Sequence, residues 1–402
     1  MCCVRQFAQR LSVLAAFAAL SGCAATFGPE HDRAYEVSAA WIGGRPAVAW
    51  YGGRQAHEAI FLGFADSRGH PAGPALPLTD ASRDAFEPSL QELDGDALVA
   101  WYEQEPATPS AVPAQVAWLG RFDASGRRLW QRRLSGPESS GRIPVVRVSA
   151  GIIHAAWLEQ RGADLPQLRV ATLDAKGAWL QAPRDATAAG RNTWNLNAAA
   201  GPDGAFHVLF DAESGTRAKE LHWLRVSGDQ ARDQRVSQDD GRDSAYPDIA
   251  LDGSRFAATW FDSRDGNSEV YLRCGQLDAS GAPAASLLLD DGAELRVTHT
   301  PADSTGAYVA WHDGHVELAW TEGEGARRAL WRQRFDRDCR PIGQARRVDG
   351  QGAAAGIASL AASASGLVLA WNGQRGDPAA PGGHGRRPTS VVLLKVWPKP
   401  KR

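Results

Sequence analysis

Long apolar runs are almost missing from this 402-residue chain, and methionine occurs once. Past the segment Leu11–Leu20, no stretch is apolar for long enough to span a bilayer as a helix. Charge of one sign is not in excess either: 44 basic side chains face 46 acidic ones, which leaves no basic footprint for nucleic acid. The basic end, KVWPKPKR, reads as a solvated tail. Helical periodicity is nearly absent, and neither HExxH nor GxSxG occurs, which removes the common zinc-protease and serine-hydrolase signatures. Cysteine is scarce: of five, Cys2, Cys3 and Cys23 lie at the N-terminus, and only Cys274 and Cys339 remain for the body of the chain.

What is present is a repeat. The strings AVAWYGG, LVAWYEQ, HAAWLEQ, HVLFDAE, AATWFDS, ELAWTEG and VLAWNGQ place Trp50, Trp101, Trp157, Phe210, Trp260, Trp320 and Trp371 at spacings of 51, 56, 53, 50, 60 and 51 residues. Seven units of this length, each with four short runs rich in β-branched and aromatic residues, predict seven small antiparallel sheets. The fifth unit shows the runs clearly as PDIAL, SRFAATWF, SEVYLRCGQL and AASLLL. Between third and fourth runs recurs a tight turn in which Asp123, Asp174 and Asp278 lead and Gly126, Gly177 and Gly281 supply a positive φ. Such sheets bury both faces only when packed radially. The expected fold is therefore all-β, a seven-bladed β-propeller of four-stranded antiparallel blades over residues 35–397. The last unit has three clear runs, so the segment Ala24–Arg33 is expected to supply its outer strand.

The N-terminal residues MCCVRQFAQRLSVLAAFAALSGC carry Arg5 and Arg10 ahead of the apolar run and end in Leu20-Ser21-Gly22-Cys23, which resembles the lipobox of bacterial lipoproteins. The resemblance implies a signal peptide over residues 1–22, acylation of Cys23 and a tether over residues 23–34. Ala24 after the cysteine implies transfer to the outer membrane. The chain from Cys23 on carries 42 basic and 46 acidic side chains, a net charge of −4.

Aligned on the repeat, Glu103, Glu159, Asp262 and Glu322 share the slot two residues after the anchoring aromatic. Recurrence favours one local structural job over catalysis. The loops entering each inner strand carry Arg83, Arg142, Arg191, Arg242 and, in LRVTHTP, Arg296, on the face where those acids end, so acid–arginine pairs are expected there. The crowd Asp262, Asp265, Asn267 and Glu269 lacks the alternating rhythm of a calcium loop and reads as a polar hairpin. No metal or other cofactor is expected. The anchoring tryptophans read as core, whereas Trp194 in GRNTWN is a candidate exposed aromatic. Counted from the shared turn, Cys274 and Cys339 are seven positions out of step, which predicts two free thiols.

WFDSRDGNSEVY with LDASG resembles the repeats of bacterial sialidase-like propellers, and GRIP at residues 141–144 resembles the Arg-Ile-Pro motif whose arginine binds a sugar carboxylate in that family. The glycine of the turn sits one position late for the sialidase box, and seven units stand where sialidases have six. The leading expectation is a lipid-anchored, non-enzymatic binding or scaffold module for an envelope protein or an anionic glycan. Its binding residues would be Arg83, Arg142, Arg191, Arg242 and Trp194. The alternative is a sialidase-like glycoside hydrolase in which Arg142 holds the substrate carboxylate, with Tyr246 beside Asp248 the nearest stand-in for a nucleophile.

Overall fold

The computed structural model describes residues 25–27, 34–54, 57–80, 82–105, 114–349, 354–375 and 389–399. Cys23 with its lipobox-like context, and most of the two Pro/Gly-rich loops (106–113 and 376–388), lie outside the described residues.

Seven four-stranded antiparallel sheets form the wheel. Their inner strands are Ala34–Ile42, Asp84–Leu93, Ser139–Ser149, Thr193–Ala200, Ser244–Asp252, Ser304–His312 and Ala354–Ser363. In the first six blades the chain runs outward in order, from inner to outer strand. The seventh blade is completed from the other end of the chain: Ala25–Phe27 pairs with Thr389–Pro398, Ala25 opposite Leu394 and Phe27 opposite Val392. The inner strands of blades seven and one also meet directly, the amide of Ala39 donating to Ser359 Oγ at 2.9 Å.

The core lies between blades. Trp50, Trp101, Trp157, Trp260 and Trp371 are buried to 1 % exposure or less, each on a second strand. Trp157, for example, packs with Leu134 and Leu119 of blade two and with Val146 and Ala171 of its own blade. An aromatic of this size removes some 150–250 Å² from water, which is why one per repeat is enough to mark the interface in sequence. A second recurring device is polar. Thr79, Ser135, Thr187, Ser237 and Thr298, each just beyond an outer strand, accept a third-strand amide, from Ile60, Ala117, Leu168, Leu221 and Val270, at 2.8–3.2 Å.

The turn between third and outer strands leans on the preceding blade. Arg121 of blade two donates to the carbonyl of Ala175 in blade three, and Arg225 of blade four donates to that of Gly281 in blade five. The glycine of this turn has positive φ, and a side chain there would point into the neighbour: a Cβ on Gly177 would lie 2.9 Å from Trp130.

This geometry corrects the expectation of two free thiols. Cys339 occupies the glycine slot of the blade-six turn, with φ 62°. It is joined to Cys274 by a disulfide, S–S 2.01 Å and Cα–Cα 5.6 Å. The sequence count treated residues after Asp336 as progress along the strand. The turn instead folds back, the amide of Cys339 donating to the carbonyl of Asp336, and aims its Cβ at the blade before it.

Candidate functional site at the mouth of the central channel

Near its start each inner strand is bulged, so that its register against the second strand breaks, for instance between Phe86 and Ser89 and between Ala245 and Asp248. The bulges share one face of the wheel and bring Glu36, Glu87, Ile143, Asn195, Tyr246 and Gly306 to the lining of a central cavity of about 1030 Å³. Glu87, Ile143 and Tyr246 hold φ of 50–52° although none is glycine. Each precedes a proline, Pro88, Pro144 and Pro247, which ordinarily drives the residue before it to extended backbone. Backbone strain of this kind costs about 1–3 kcal/mol per residue and clusters where function fixes the geometry.

Two carboxyls dominate the chemistry. Burial, with the charge of Glu87 added, pushes Glu36 up to about 8, so it holds its proton at neutral pH. Burial raises Glu87 as well, moderated by the hydroxyl of Tyr102, which donates to its Oε1 at 3.3 Å, and by the charge of Arg142. Beside them runs an aromatic wall in which Tyr35 stacks on Tyr51 (5.1 Å), Tyr51 meets Phe86 edge-on (5.4 Å) and Phe86 lies against Tyr102 (5.3 Å). Three blades further round, buried Asp211 braces two bulges at once: its Oδ2 accepts the amide of Tyr246 at 2.9 Å and the side-chain amide of Asn195 at 2.8 Å. Deeper in the channel Arg147 donates to the carbonyl of Ala198 and to Asn197 Oδ1, while Asp248 accepts the amide of Val309 and is pushed by burial to about 6.

Of the four arginines offered as binding residues, only Arg142 acts at this mouth, through its charge on Glu87, while Tyr246 and Asp248, the pair weighed for a nucleophile, line the cavity itself. Arg83 sits 3.9 Å from Glu103, Arg191 pairs with Asp233 at 2.6 Å on the outer strand of blade four, and Arg242 is solvent-exposed. Arg296 holds Asp265 and Glu269 at 3.0 and 3.1 Å. The loop arginines therefore do not converge on one patch. Trp194 is 37 % exposed, but the Lys219 ammonium lies 4.9 Å over its ring.

Three of the four recurring acids share one job. Glu103, Glu159 and Asp262 each accept the indole N–H of the tryptophan two residues earlier, at 3.0, 2.7 and 3.2 Å. In the hairpin after Asp262 the four crowded polar side chains are engaged internally: Asp262 with Arg264 and Ser244, Asp265 with the hydroxyl of Tyr271, Asn267 with the carbonyls of Thr300 and Ala302, and Glu269 with Thr298. Among the described residues no three His, Cys, Asp or Glu side chains gather as a metal set.

No family model and no curated protein matches this sequence. Solved structures do share the architecture. A protein of unknown function from Dyadobacter fermentans aligns with a TM-score of 0.56 at 11 % identity, over 93 % of this chain and 98 % of that one. A Hadza microbial sialidase aligns at 0.51 and 10 % identity, over 84 % and 73 %. The shared feature is the β-propeller architecture. An α-L-arabinofuranosidase from Fusarium graminearum, solved with an iminosugar inhibitor, aligns at 0.51 and 12 % identity, over 78 % and 93 %. At such identities the likeness is one of fold, and function has to be argued from the channel mouth.

Glu36 and Glu87 are not singled out in sequence, and Tyr246 only as a stand-in for a nucleophile, because the bulge slot carries no uniform residue type around the ring. For Glu87, Ile143 and Tyr246 the available signal was the proline after the slot, in FEPS, RIPV and AYPD, whereas Glu36 is followed by Val37.

Proposed function

We propose that this chain is an envelope-tethered, non-enzymatic propeller that binds a glycan at the mouth of its central channel, held at the outer membrane through an acylated Cys23. The observation that carries the binding reading is that Glu36, Glu87 and Tyr246 line one cavity, while Tyr102 and the charge of Arg142 act on Glu87 from behind it. Carboxyl groups take sugar hydroxyls, aromatic faces take C–H faces, and a concave, largely pre-formed site is where such ligands are held. Of the loop arginines offered for an acidic sugar, Arg142 is the one whose charge reaches a carboxyl of the cavity lining, Glu87. A glycan array with the full-length chain tests the reading: the proposal expects sugar signals lost in a Glu36→Gln, Glu87→Gln double variant, and cross-linking to an envelope protein without any sugar signal would replace it with the scaffold reading. The tether is tested by palmitate labelling, which Cys23→Ala should abolish.

A second reading, glycoside hydrolysis, is favoured by one observation: a carboxyl that keeps its proton up to about pH 8, Glu36, beside a second one, Glu87. Glu36 would protonate the departing glycosidic oxygen and Glu87 would accept a proton from water, with Arg142 holding an acidic sugar. Tyr246 does not suit the nucleophile's part, because burial and the charges of Asp211, Glu36 and Glu87 push its phenol up. Turnover on a panel of fluorogenic glycosides, sialosides included, that disappears in Glu36→Gln would favour this reading over plain binding.

A further inference from the structure

Tyr246 is the largest side chain exposed at the channel mouth, at 49 %. Its position is fixed three times over. Its backbone is held at φ 52° ahead of Pro247, its amide is tied to Asp211, and one face of its ring rests on Phe261, centroids 5.4 Å apart and planes 29° from parallel. Asp211 is itself buried and is secured by Asn195 of the adjacent bulge. The result is a rigid aromatic plate with one face packed and the rest presented to the cavity. Trp194, comparably exposed, differs in having a lysine over its ring. Tyr246 also feels the charges of Glu36 and Glu87 from blades one and two, which places the plate and the two carboxyls around the same opening.

We propose that Tyr246 is the stacking platform for the C–H face of a neutral hexopyranose, whose hydroxyls on the far side are received by Glu36 and Glu87. The inference rests on the glycan reading and deepens it by naming the ligand class. A neutral sugar is favoured over an acidic one because the cavity lining carries four carboxyl groups, Glu36, Glu87, Glu92 and Asp248, against two arginines, Arg147 and Arg328, the first already engaged with Ala198 and Asn197. A plate that is ordered before the ligand arrives loses little freedom on binding, and a tyrosine supplies large contact area with few rotatable bonds. Asp211 is a positioning residue, acting through the backbone of Tyr246.

The test is calorimetric titration of the full-length chain with cellohexaose, mannohexaose and sialyllactose, using Tyr246→Ala, Tyr246→Phe, Asp211→Asn and the Glu36→Gln, Glu87→Gln double variant. Circular dichroism of each variant confirms the fold. A neutral hexaose should bind, Tyr246→Ala should weaken it tenfold or more, Tyr246→Phe should stay within about threefold, and Asp211→Asn should fall between. If a neutral hexaose binds and only the carboxyl variant loses it, the platform is wrong and the glycan reading stands. If sialyllactose alone binds, the neutral assignment is wrong and the reading again stands. If the folded wild-type chain binds none of the three, both fall.

Discussion

The indole N–H of Trp157 donates to Glu159 Oε2 at 2.7 Å, a tryptophan bound to a carboxylate two residues further along the same strand. Burial opposes ionisation of Glu159, but hydrogen bonds from Ser139, Trp157 and Arg169 outweigh it and hold the carboxyl below its usual range. One acid thus secures the interface tryptophan together with the inner and third strands of its own blade. Glu159→Ala should strand the indole and Arg169 in a poorly solvated place and destabilise the chain by about 2–4 kcal/mol. Glu159→Gln, which keeps an acceptor, should cost less. Denaturant midpoints compare the two.

The Cys274–Cys339 bridge links blades five and six over a separation of 65 residues. Cys274→Ser should lower stability by roughly 2–4 kcal/mol, the range for cross-links that close loops of this kind. Mass spectrometry of unreduced peptides should show the linked pair. Two unlinked peptides from a protein purified without reductant would return the chain to free thiols.

Glycine at the leaning turn is required twice over. Gly177 has φ 79°, and an added Cβ would meet the Trp130 ring at 2.9 Å. Gly177→Ala should destabilise by about 1–3 kcal/mol. Gly190, with φ 90° and nothing within 4 Å of an added Cβ, carries only the backbone term and should cost less when changed to alanine.

Stability should fall as pH rises from about 5 to 8. Burial pushes both Glu36 and Glu220 from 4.5 to about 8, so the folded protein keeps two protons that the unfolded chain has released across that window. The sign is opposite to that of a salt-bridged carboxylate. Glu36→Gln should make the decline shallower, and an unchanged slope between pH 5 and 8 would remove Glu36 from the account.

Much of the wheel was legible in the sequence because the packing problem is the same in every blade. Radial sheets need one large aromatic per interface, and Trp50, Trp101, Trp157, Trp260 and Trp371 supply it where the spacing placed them. The mouth was less legible for the converse reason. The slot facing the opening is not uniform: it holds carboxyls at Glu36 and Glu87, an aliphatic side chain at Ile143, an amide at Asn195 and a phenol at Tyr246. The arginines do not act as a group: Arg83, Arg142, Arg191 and Arg242 recur in loops of similar sequence, and Arg83 lies beside the recurring acid Glu103, while the others end beside different partners or in solvent. The thiols failed because linear counting cannot see a turn that doubles back.

Closing the seventh blade with Ala25–Phe27 also bears on how the protein would sit on a membrane. Phe27 is buried against Trp50, and its ring occupies the space that a side chain on Gly63 would need, so the short strand is firmly seated. Only Ala24 separates Cys23 from that strand, a leash of two peptide steps that reaches about 7 Å at full stretch. An acyl group on Cys23 would then pin the wheel to the bilayer by its rim, standing on edge like a coin. Both openings of the axle would face sideways along the lipid surface, where long polymers lying over the membrane could reach them.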